Sequence, residues 1–303
     1  MNNIRQKKVS FALIGCGAIA DKHVVAINRL GNAEVIAACD INPKITKTFG
    51  EKHSIPVFEN IEEMIQKTNP DVLNILTPSG IHGENILELI RFNKHFVVEK
   101  PFALRLDQID KILEECDKKG LKIFVVKQNR FNPPVCKLKE AVAKGRFGKL
   151  VMGTVRVRWC REQAYYDQKP WRGTWSLDGG VLTNQASHHI DMLIWFMGDV
   201  ESVMAKTATR LVNIEAEDTG VAILKFRNGA LGIIEATTAT RPKDLEGSIS
   251  ILGEKGAVEV GGFFMNELKT WNFSAPDEMD NDIWTNFAKV PSDLAWNHSE
   301  FFK

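Results

Sequence analysis

A glycine turn between an apolar strand and a helix restricts the fold of this chain more than any other feature. The run VSFALI leads into GCGAIA, in which Gly15, Gly17 and Ala20 match the pattern G-x-G-x-x-A. Gly15 permits a tight turn, Gly17 lets the backbone approach a pyrophosphate, and Ala20 allows close packing of helix on strand. The amides at the start of that helix then face the phosphates. The turn predicts a dinucleotide site, although the motif by itself is a weak signal.

The chain around this turn strengthens the prediction. Short apolar runs alternate with amphipathic stretches from Val9 to about Val126, which indicates a parallel, doubly wound sheet. Asp40 ends the second strand, where an acid can hydrogen-bond both ribose hydroxyls and would repel a 2′-phosphate. The sequence therefore favours NAD over NADP, while a helix cap or turn is the alternative role of Asp40. The first predicted NAD contacts are Gly15, Gly17, Ala18, Ile19 and Asp40.

Two later loops are predicted to reach the same edge of the sheet. TPSGIHGE follows the third strand core, so Thr77 and Pro78 face the cofactor, and His82 either contacts it or caps the next helix. The run HFVVEKPF brings Glu99 and Lys100 to this edge. A lysine between a buried strand and a proline is poorly explained as surface decoration. Its amine could hold a substrate hydroxyl or move the proton of that hydroxyl.

Gln128 and Asn129 close the following strand, again at the active edge of the sheet. Gln128 is a candidate for the cofactor and Asn129 for sugar hydroxyls. An ordinary turn before Pro133 is the alternative explanation for both residues.

Composition bounds the remaining possibilities. The length of 303 residues predicts two domains, and the net charge of +1 argues against nucleic-acid or anionic-membrane partners. The five cysteines are widely spaced without a metal-binding pattern, which favours a reducing cytoplasm and no metal site. No run reaches the about 18 apolar residues of a membrane span. The basic and apolar N-terminus imitates a signal peptide, but a buried first strand also explains its glycines.

The second half predicts a different architecture. Beyond Gly198, β-rich runs alternate with turns such as Arg227-Asn228-Gly229. We expect an α/β protein with an N-terminal Rossmann doubly wound parallel sheet (residues 1–124). A C-terminal α+β domain (125–303) would carry a large open, mainly antiparallel sheet. One face of that sheet would line the site, and the other could bury against a partner subunit in a homodimer or homotetramer.

An arginine-rich segment at 156–172 is the candidate substrate site. Arginine suits bidentate recognition of carboxylate or phosphate, and tyrosine adds a hydroxyl or a stacking face. Alternatively, two of the arginines occupy one solvated strand face and the neighbouring tryptophans belong to the core. Together with Asn129, the predicted substrate contacts are Arg156, Arg158, Arg161, Tyr165, Tyr166 and Arg172.

The chain resembles the glucose-fructose oxidoreductase/inositol dehydrogenase (GFO/IDH/MocA) family in the order of four features: GCGAIA, Asp40, TPSGIH and EKP. The segment GGVLTNQASHHID at 179–191 resembles the same family. The resemblance implies NAD as cofactor, Lys100 beside the substrate and His188 as the catalytic histidine. Asn184 stands where the family has an aspartate. An amide can orient a hydroxyl but cannot take its proton, which moves acid–base duty onto Lys100 and His188.

The segments VVKQNRFNPPV and RVRWCREQAYYDQKPWRGTWSLDGG narrow the resemblance to the bacterial UDP-N-acetylglucosaminuronate (UDP-GlcNAcA) 3-dehydrogenases of surface-polysaccharide synthesis. It implies a UDP-sugar substrate oxidised to a 3-ketone. The sequence leaves open whether NADH is released or stays bound and is reoxidised by 2-oxoglutarate, as in some relatives. Such relatives usually continue past WNHSEFFK, so this chain looks cut short. The alternatives are another sugar or cyclitol dehydrogenase of the family, or an NAD-binding regulator that lost its chemistry.

Overall fold

The chain divides into two compact units in a computed structural model that describes residues 8–291 and 302. The first unit runs to Val126 and includes Phe302, and the second begins at Lys127. The division falls after Val126, not after residue 124, because the Val126 N–H still bonds the Val98 carbonyl at 2.9 Å. The predicted second domain, 125–303, contained Phe302. Its ring instead packs edge-on against Phe11 of the first unit, with centroids 5.8 Å apart.

In its described residues, the first unit contains six parallel strands and five α-helices. The strands are β1 (Val9–Ile14), β2 (Ala33–Cys39), β3 (Val57–Phe58), β4 (Val72–Ile75), β5 (His95–Val98) and β6 (Ile123–Val125). The helices are α1 (Ala20–Asn28), α2 (Pro43–His53), α3 (Ile61–Thr68), α4 (His82–Leu89) and α5 (Leu106–Lys119), with 3₁₀ turns at Ser79–Ile81 and Ile90–Phe92. The sheet order is β3-β2-β1-β4-β5-β6. The order reverses at β1, and ligands of doubly wound sheets bind at such a reversal.

Apolar side chains on both faces of the strands explain why this sheet is buried between helices. Leu13 packs with Val35 in one apolar cluster, and Ile14 packs with Ile75 in another. This matches the near-continuous apolar runs typical of parallel strands covered on both faces. The run that imitates a signal peptide thus forms β1.

The second unit contains one seven-stranded sheet. Its strands are β7 (Leu150–Arg158), β8 (Val200–Ala208), β9 (Thr219–Phe226), β10 (Leu231–Thr237), β11 (Glu246–Gly253), β12 (Gly256–Gly261) and β13 (Glu267–Phe273). The helical segments are α6 (Pro133–Ala143), α7 (Gln163–Asp167), a π-helix (Val181–Gln185), α8 (Ser187–Met197), α9 (Ile283–Phe287) and 3₁₀ turns at Gln128–Phe131 and Glu278–Asp280. The sheet order is β13-β12-β11-β7-β10-β9-β8, in which only the β7–β10 pair is parallel. The predicted fold class is confirmed.

Helix α8 covers one face of this sheet. Its Leu193 and Met197 belong to an apolar cluster with Val155 of β7 and Ile249 of β11. The helix approaches β7 closely at Gly153, where a Cβ atom would lie 2.7 Å from Leu193 Cδ1. Because side chains alternate along a strand, the even-numbered residues of β7 point to the sheet face opposite α8.

All five cysteines are free thiols. Within residues 8–291 and 302, no group of three His, Cys, Asp or Glu side chains is placed to hold a metal ion. The same part of the chain contains no helix with the length and apolar character needed to cross a membrane.

Candidate functional site

The glycine turn after β1 has the predicted geometry. Gly15 has φ +103°, and a Cβ atom there would lie 2.7 Å from the Leu76 carbonyl oxygen. At Gly17, by contrast, a Cβ atom would meet no other atom within 4 Å. Ala20 is fully buried at the start of α1. The turn therefore needs glycine at Gly15 for its own packing, whereas the open space beside Gly17 suits an approaching pyrophosphate, and Ala18 and Ile19 lead directly into the helix.

Asp40 lies beside this turn. Its carboxylate accepts the N–H of Cys16 and the N–H of Asn42, both at 2.9 Å. The cap of α2 is Asn42, whose side chain accepts the N–H of Lys44 and of Ile45, so Asp40 is not the helix cap. Each carboxylate oxygen retains a lone pair, and these suit the two hydroxyls of a ribose.

Cys16 inside the turn is not a nucleophile. Burial raises the pKa of its thiol to about 12, and the charges of Asp40 and Cys39 act in the same direction. The thiol is therefore neutral at physiological pH and serves as a small apolar group.

His82 ties two of the predicted cofactor loops together instead of pointing at a ligand. Its Nδ1 lies 2.8 Å from the Pro101 carbonyl oxygen and its Nε2 lies 2.8 Å from the Thr77 carbonyl oxygen. The ring is 1% exposed, and burial lowers its pKa although both carbonyl contacts oppose that change. The predicted contact of His82 with cofactor is replaced by a brace between Thr77, followed by Pro78, and the EKP segment.

Glu99 and Lys100 follow β5, as predicted. Glu99 is buried, and its carboxylate contacts His23 at 3.0 Å and accepts the N–H of Lys100 at 3.0 Å. Lys100 itself is half-buried, and its peptide bond to Pro101 is cis. Glu99 is therefore committed to protein partners, whereas the Lys100 ammonium extends from a backbone that its neighbours hold in place.

In the second unit, the π-helix places Asn184 and leads into α8, which begins next to His188. The Gln128 amide nitrogen lies 3.2 Å from His188 Nε2. An amide N–H donates to Nε2 only when that nitrogen is unprotonated, which is the state a base requires. Gln128, predicted as a cofactor contact, thus lies beside His188, the histidine predicted to be catalytic. Asn129 is half-buried in the same 3₁₀ turn.

The adjacent histidine has a structural role. His189 is fully buried, with its ring edge-on to Trp159 at 5.8 Å between centroids. Burial lowers the pKa of His189 to about 4, so it is neutral at physiological pH.

Asp178 is a carboxylate that the sequence prediction missed. It is 5% exposed, accepts the Gly173 N–H at 2.7 Å, and accepts a hydrogen bond from the Asn184 amide nitrogen. A carboxylate thus orients the amide that stands at the family's aspartate position. The signal was present in the sequence, because Asp178 directly precedes the glycine pair Gly179-Gly180.

Two of the predicted substrate arginines gather around one tyrosine. The Arg172 guanidinium lies 4.0 Å from the ring centroid of Tyr165, and that of Arg161 lies 5.4 Å from it. The Tyr165 hydroxyl accepts a hydrogen bond from Gln185 of the π-helix at 3.2 Å. This group, which we call the Tyr165 cluster (Arg161, Tyr165, Arg172 and Gln185), therefore adjoins the segment that carries Asn184.

The structure places the other predicted substrate contacts elsewhere. Arg158 forms a bidentate pair with Glu235 at 2.6 and 2.7 Å, and Arg156 lies 3.4 Å from Glu246. Both arginines point to the face of the sheet opposite α8, because β7 buries Val155 and Val157 beneath the helix. Tyr166 is buried, and its hydroxyl bonds Thr238 at 2.8 Å. All three side chains thus have protein partners in the second unit, and Arg156 and Arg158 share one strand face, as the alternative interpretation of the arginines held.

Comparison with known proteins identifies the family. Residues 9–127 match the oxidoreductase family, NAD-binding Rossmann fold, and residues 135–259 match the GFO/IDH/MocA C-terminal domain. The WlbA dehydrogenase from Bordetella pertussis, solved in complex with NADH and UDP-GlcNAcA, is 43% identical, with a TM-score of 0.94 over 99% of this chain and 87% of that one. The chain belongs to the GFO/IDH/MocA family.

Other GFO/IDH/MocA proteins are similar over most of the chain. The WlbA dehydrogenase from Chromobacterium violaceum, in complex with NADH and UDP-GlcNAcA, is 42% identical, with a TM-score of 0.91 over 100% of this chain and 86% of that one. The myo-inositol 2-dehydrogenase of Thermotoga maritima is 28% identical over 81% of this chain and 73% of its own length. The protein is therefore an oxidoreductase whose first unit is an NAD-binding Rossmann fold, and the open space at Gly17 and the Asp40 carboxylate fit that cofactor.

The open space at Gly17 yields a test of the GFO/IDH/MocA cofactor turn. We expect Gly17→Val to melt within about 3 °C of the parent, because its Cβ meets nothing within 4 Å. The Kd for NAD should rise more than about tenfold, since the side chain fills the space that a pyrophosphate needs. Gly31→Val is the matched control, because Gly31 is equally open but outside the turn. Titration calorimetry and thermal melts decide, and unchanged NAD binding by Gly17→Val contradicts the assignment.

The Asp178–Asn184 pair yields a second test. Asn184→Asp brings two buried carboxylates together, so one must hold a proton and its folded-state pKa rises above the unfolded value. The free energy of unfolding should then fall, relative to the parent, by up to about 1.4 kcal/mol per pH unit as the pH rises from about 5 to 8.

Urea unfolding across this pH range measures the effect. The exchange variant Asp178→Asn/Asn184→Asp restores one carboxylate and one amide, and we expect its pH dependence to return to that of the parent. Parent-like pH dependence in the single variant would mean that the two carboxylates do not lie close enough in a buried site to raise the pKa of either one.

Proposed function

We propose that this protein oxidises the 3-hydroxyl of UDP-GlcNAcA to a ketone with NAD, in the synthesis of a bacterial surface polysaccharide. The supporting observation is 43% identity over 99% of the chain to a dehydrogenase solved with NADH and UDP-GlcNAcA. Lys100 and His188 occupy the positions that the family motifs reserve for chemistry.

The reaction removes a hydride from the sugar carbon and a proton from its hydroxyl. The hydride acceptor would be the nicotinamide of NAD, held by the Gly17 turn and the Asp40 carboxylate. We assign the proton to the Lys100 amine, which has to be neutral when the hydroxyl is deprotonated. The backbone of Lys100 is held by the Glu99 carboxylate at 3.0 Å, so the amine extends from a fixed point.

His188 and Asn184 would hold the sugar in this proposal. The Nε2 of His188 accepts from the Gln128 amide at 3.2 Å, and because this nitrogen has one lone pair, a sugar hydroxyl that donates to it would replace Gln128. The Asn184 amide is oriented by Asp178 and offers its carbonyl oxygen as an acceptor. Because an amide does not titrate, Asn184 orients and does not move the proton.

The Tyr165 cluster is our candidate for the anionic parts of the substrate. Arg172 donates to two uncharged oxygens, the Tyr165 carbonyl at 2.7 Å and Gln168 Oε1 at 2.9 Å. Among the residues that the structure describes, the hydrogen-bond partners of Arg172 include no carboxylate, unlike those of Arg161, which lies 3.1 Å from Asp244. A uronate or diphosphate would supply the missing anion, whereas an uncharged polyol would not. Asn129 is assigned to sugar hydroxyls.

A substrate panel followed by NADH absorbance tests this function. We expect UDP-GlcNAcA to exceed UDP-GlcNAc, glucose 6-phosphate and myo-inositol by about 100-fold or more in kcat/KM, because the alternatives lack the carboxylate, the nucleotide or both. Lys100→Met should lower kcat by about 10²- to 10⁴-fold and leave the Kd for NAD within about threefold.

Lys47→Met, at an exposed lysine of α2, is the control. Preference for myo-inositol would assign the protein to the cyclitol dehydrogenases, and stoichiometric NAD binding without turnover would assign it to regulators. Addition of 2-oxoglutarate shows whether bound NADH is reoxidised in place, because turnover then continues without released NADH.

We also propose that the protein is a homodimer or homotetramer in the cytoplasm. The sheet face opposite α8 exposes a cross-strand row of apolar side chains, in which Met204 pairs with Ile223 and Ile223 pairs with Ile233. Met204 is 73% exposed and Ile223 is 57% exposed. Apolar rows of this kind are typical of interfaces, and free cysteines are typical of a reducing compartment.

Sedimentation equilibrium tests the proposed interface. Ile223→Lys adds a charge at the centre of the row and should raise the dissociation constant of the oligomer by about tenfold or more. Leu113→Lys changes an exposed leucine of α5 in the first unit and should leave it unchanged. An Ile223→Lys protein that associates like the parent would place the interface elsewhere.

A further inference from the structure

A buried histidine connects the cofactor helix to the lysine loop. His23 of α1 is 0% exposed, and so is Asn74 of β4. The Asn74 amide nitrogen lies 3.1 Å from His23 Nδ1, and His23 Nε2 lies 3.0 Å from Glu99 Oε1. Neither His23 nor Asn74 was among the predicted site residues, because neither belongs to a motif that contacts ligand.

The direction of each hydrogen bond follows from its partners. An amide nitrogen only donates, so Nδ1 of His23 accepts from Asn74, and Nε2 carries the hydrogen of a neutral ring. Nε2–H then donates to the Glu99 carboxylate, which only accepts when ionised. Asn74 thereby selects the tautomer that Glu99 needs, as second partners do for histidines at metal and catalytic sites.

The second oxygen of Glu99 extends this series of hydrogen bonds to Lys100. Glu99 Oε2 accepts the backbone N–H of Lys100 at 3.0 Å. Three hydrogen bonds therefore run from Asn74 through His23 and Glu99 to the backbone of Lys100. With both oxygens engaged, the carboxylate cannot rotate without breaking a bond in a largely buried site, where a lost partner is costly.

The ring of His23 is also covered from the side. The Phe302 ring packs edge-on against it, with centroids 5.4 Å apart, and Phe302 contacts Phe11 in the same way. This aromatic contact and the 0% exposure of the imidazole leave His23 no direct route to a substrate or cofactor.

We infer that His23 is a positioning residue for Lys100 that acts through Glu99. This inference rests on the proposed proton-accepting role of Lys100. Loss of the His23–Glu99 bond frees the carboxylate to turn and releases the Lys100 N–H, so the amine moves relative to the reacting hydroxyl. Because a shift of about 1 Å at a reacting group can cost about 10²-fold in rate, the effect should appear in kcat.

His23→Leu and His23→Gln separate positioning from packing. Both fill similar space, but only glutamine keeps a donor for Glu99 and an acceptor for Asn74. We expect His23→Leu to lower kcat by about 10- to 100-fold with KM for the sugar and Kd for NAD within about threefold. His23→Gln should recover kcat to within about threefold of the parent.

A double-mutant cycle with Glu99→Ala tests the route. Since His23 acts only through Glu99, adding His23→Leu to Glu99→Ala should lower kcat no further, and independent, additive losses overturn the inference. The control is His53→Leu, which breaks a histidine–carboxylate contact to Asp21 of 2.7 Å in the same unit and should leave kcat unchanged. If His23→Leu does not fold, Asn74→Ala removes one bond of the same chain and should lower kcat about three- to tenfold.

The labelling rate of the Lys100 amine with acetic anhydride, read by peptide mass spectrometry, requires no turnover. A changed rate in His23→Leu, and a parent-like rate in His23→Gln and His53→Leu, support the inference. An unchanged Lys100 labelling rate in His23→Leu overturns it. If the parent turns over no sugar, the proposed function fails, and this labelling still decides whether His23 positions Lys100.

Discussion

The site of the first unit depends on one close contact, between Gly15 and the backbone of Leu76. A Cβ atom at Gly15 would lie 2.7 Å from the Leu76 oxygen, so only glycine lets the first turn pass over the end of β4. Gly15 also donates its N–H to the Cys39 carbonyl at 2.8 Å, at the end of β2. The same turn therefore sets the register of three strand ends, which continue directly into Asp40 and Thr77. The tight packing of β1 between its neighbours therefore also fixes the positions of the residues at the cofactor site.

The second unit keeps a carboxylate near the position where the family motif has an aspartate, but a different residue supplies it. Asn184 has lost the charge of the usual aspartate, but Asp178 places a carboxylate against its amide. The π-helix matters here, because its wider turn sets Asn184 inward just before α8. Burial raises the pKa of nearby Glu217, and the charges of Asp178 and Asp218 raise it further, so the ionised form of Glu217 is disfavoured. The amide thus has one neighbouring carboxylate that orients it, and its own side chain does not titrate.

The sequence predicts well the features that a short stretch of backbone determines. GCGAIA after an apolar strand, together with the alternation of apolar runs and helices, indicates the turn, and the apolar runs require burial, so β1 and its parallel neighbours follow. It predicts less well which partner a side chain finds across the fold. Alternation along β7 places Arg156 and Arg158 on one face, but only the packing of α8 on Val155 and Val157 tells which face that is. The hydrogen bonds of Tyr166 to Thr238 and of His82 to Pro101 join residues far apart in the sequence, and no local pattern predicts them.

The distribution of paired charges shows how a nearly neutral protein could bind the polyanionic substrate that we propose. Most arginine charge in the second unit is cancelled locally: Arg130 pairs with Asp191 at 2.7 Å, and Arg158 pairs with Glu235 at 2.6 Å. Arg172 instead donates to uncharged oxygens and lies against the Tyr165 ring. A guanidinium already held by neutral acceptors has a fixed orientation and retains its full charge, so an arriving anion gains the attraction without ordering a flexible side chain. Net charge therefore reports the sum of such pairs, whereas the proposed recognition of an anion depends on a local cation, Arg172, whose charge the sum does not show.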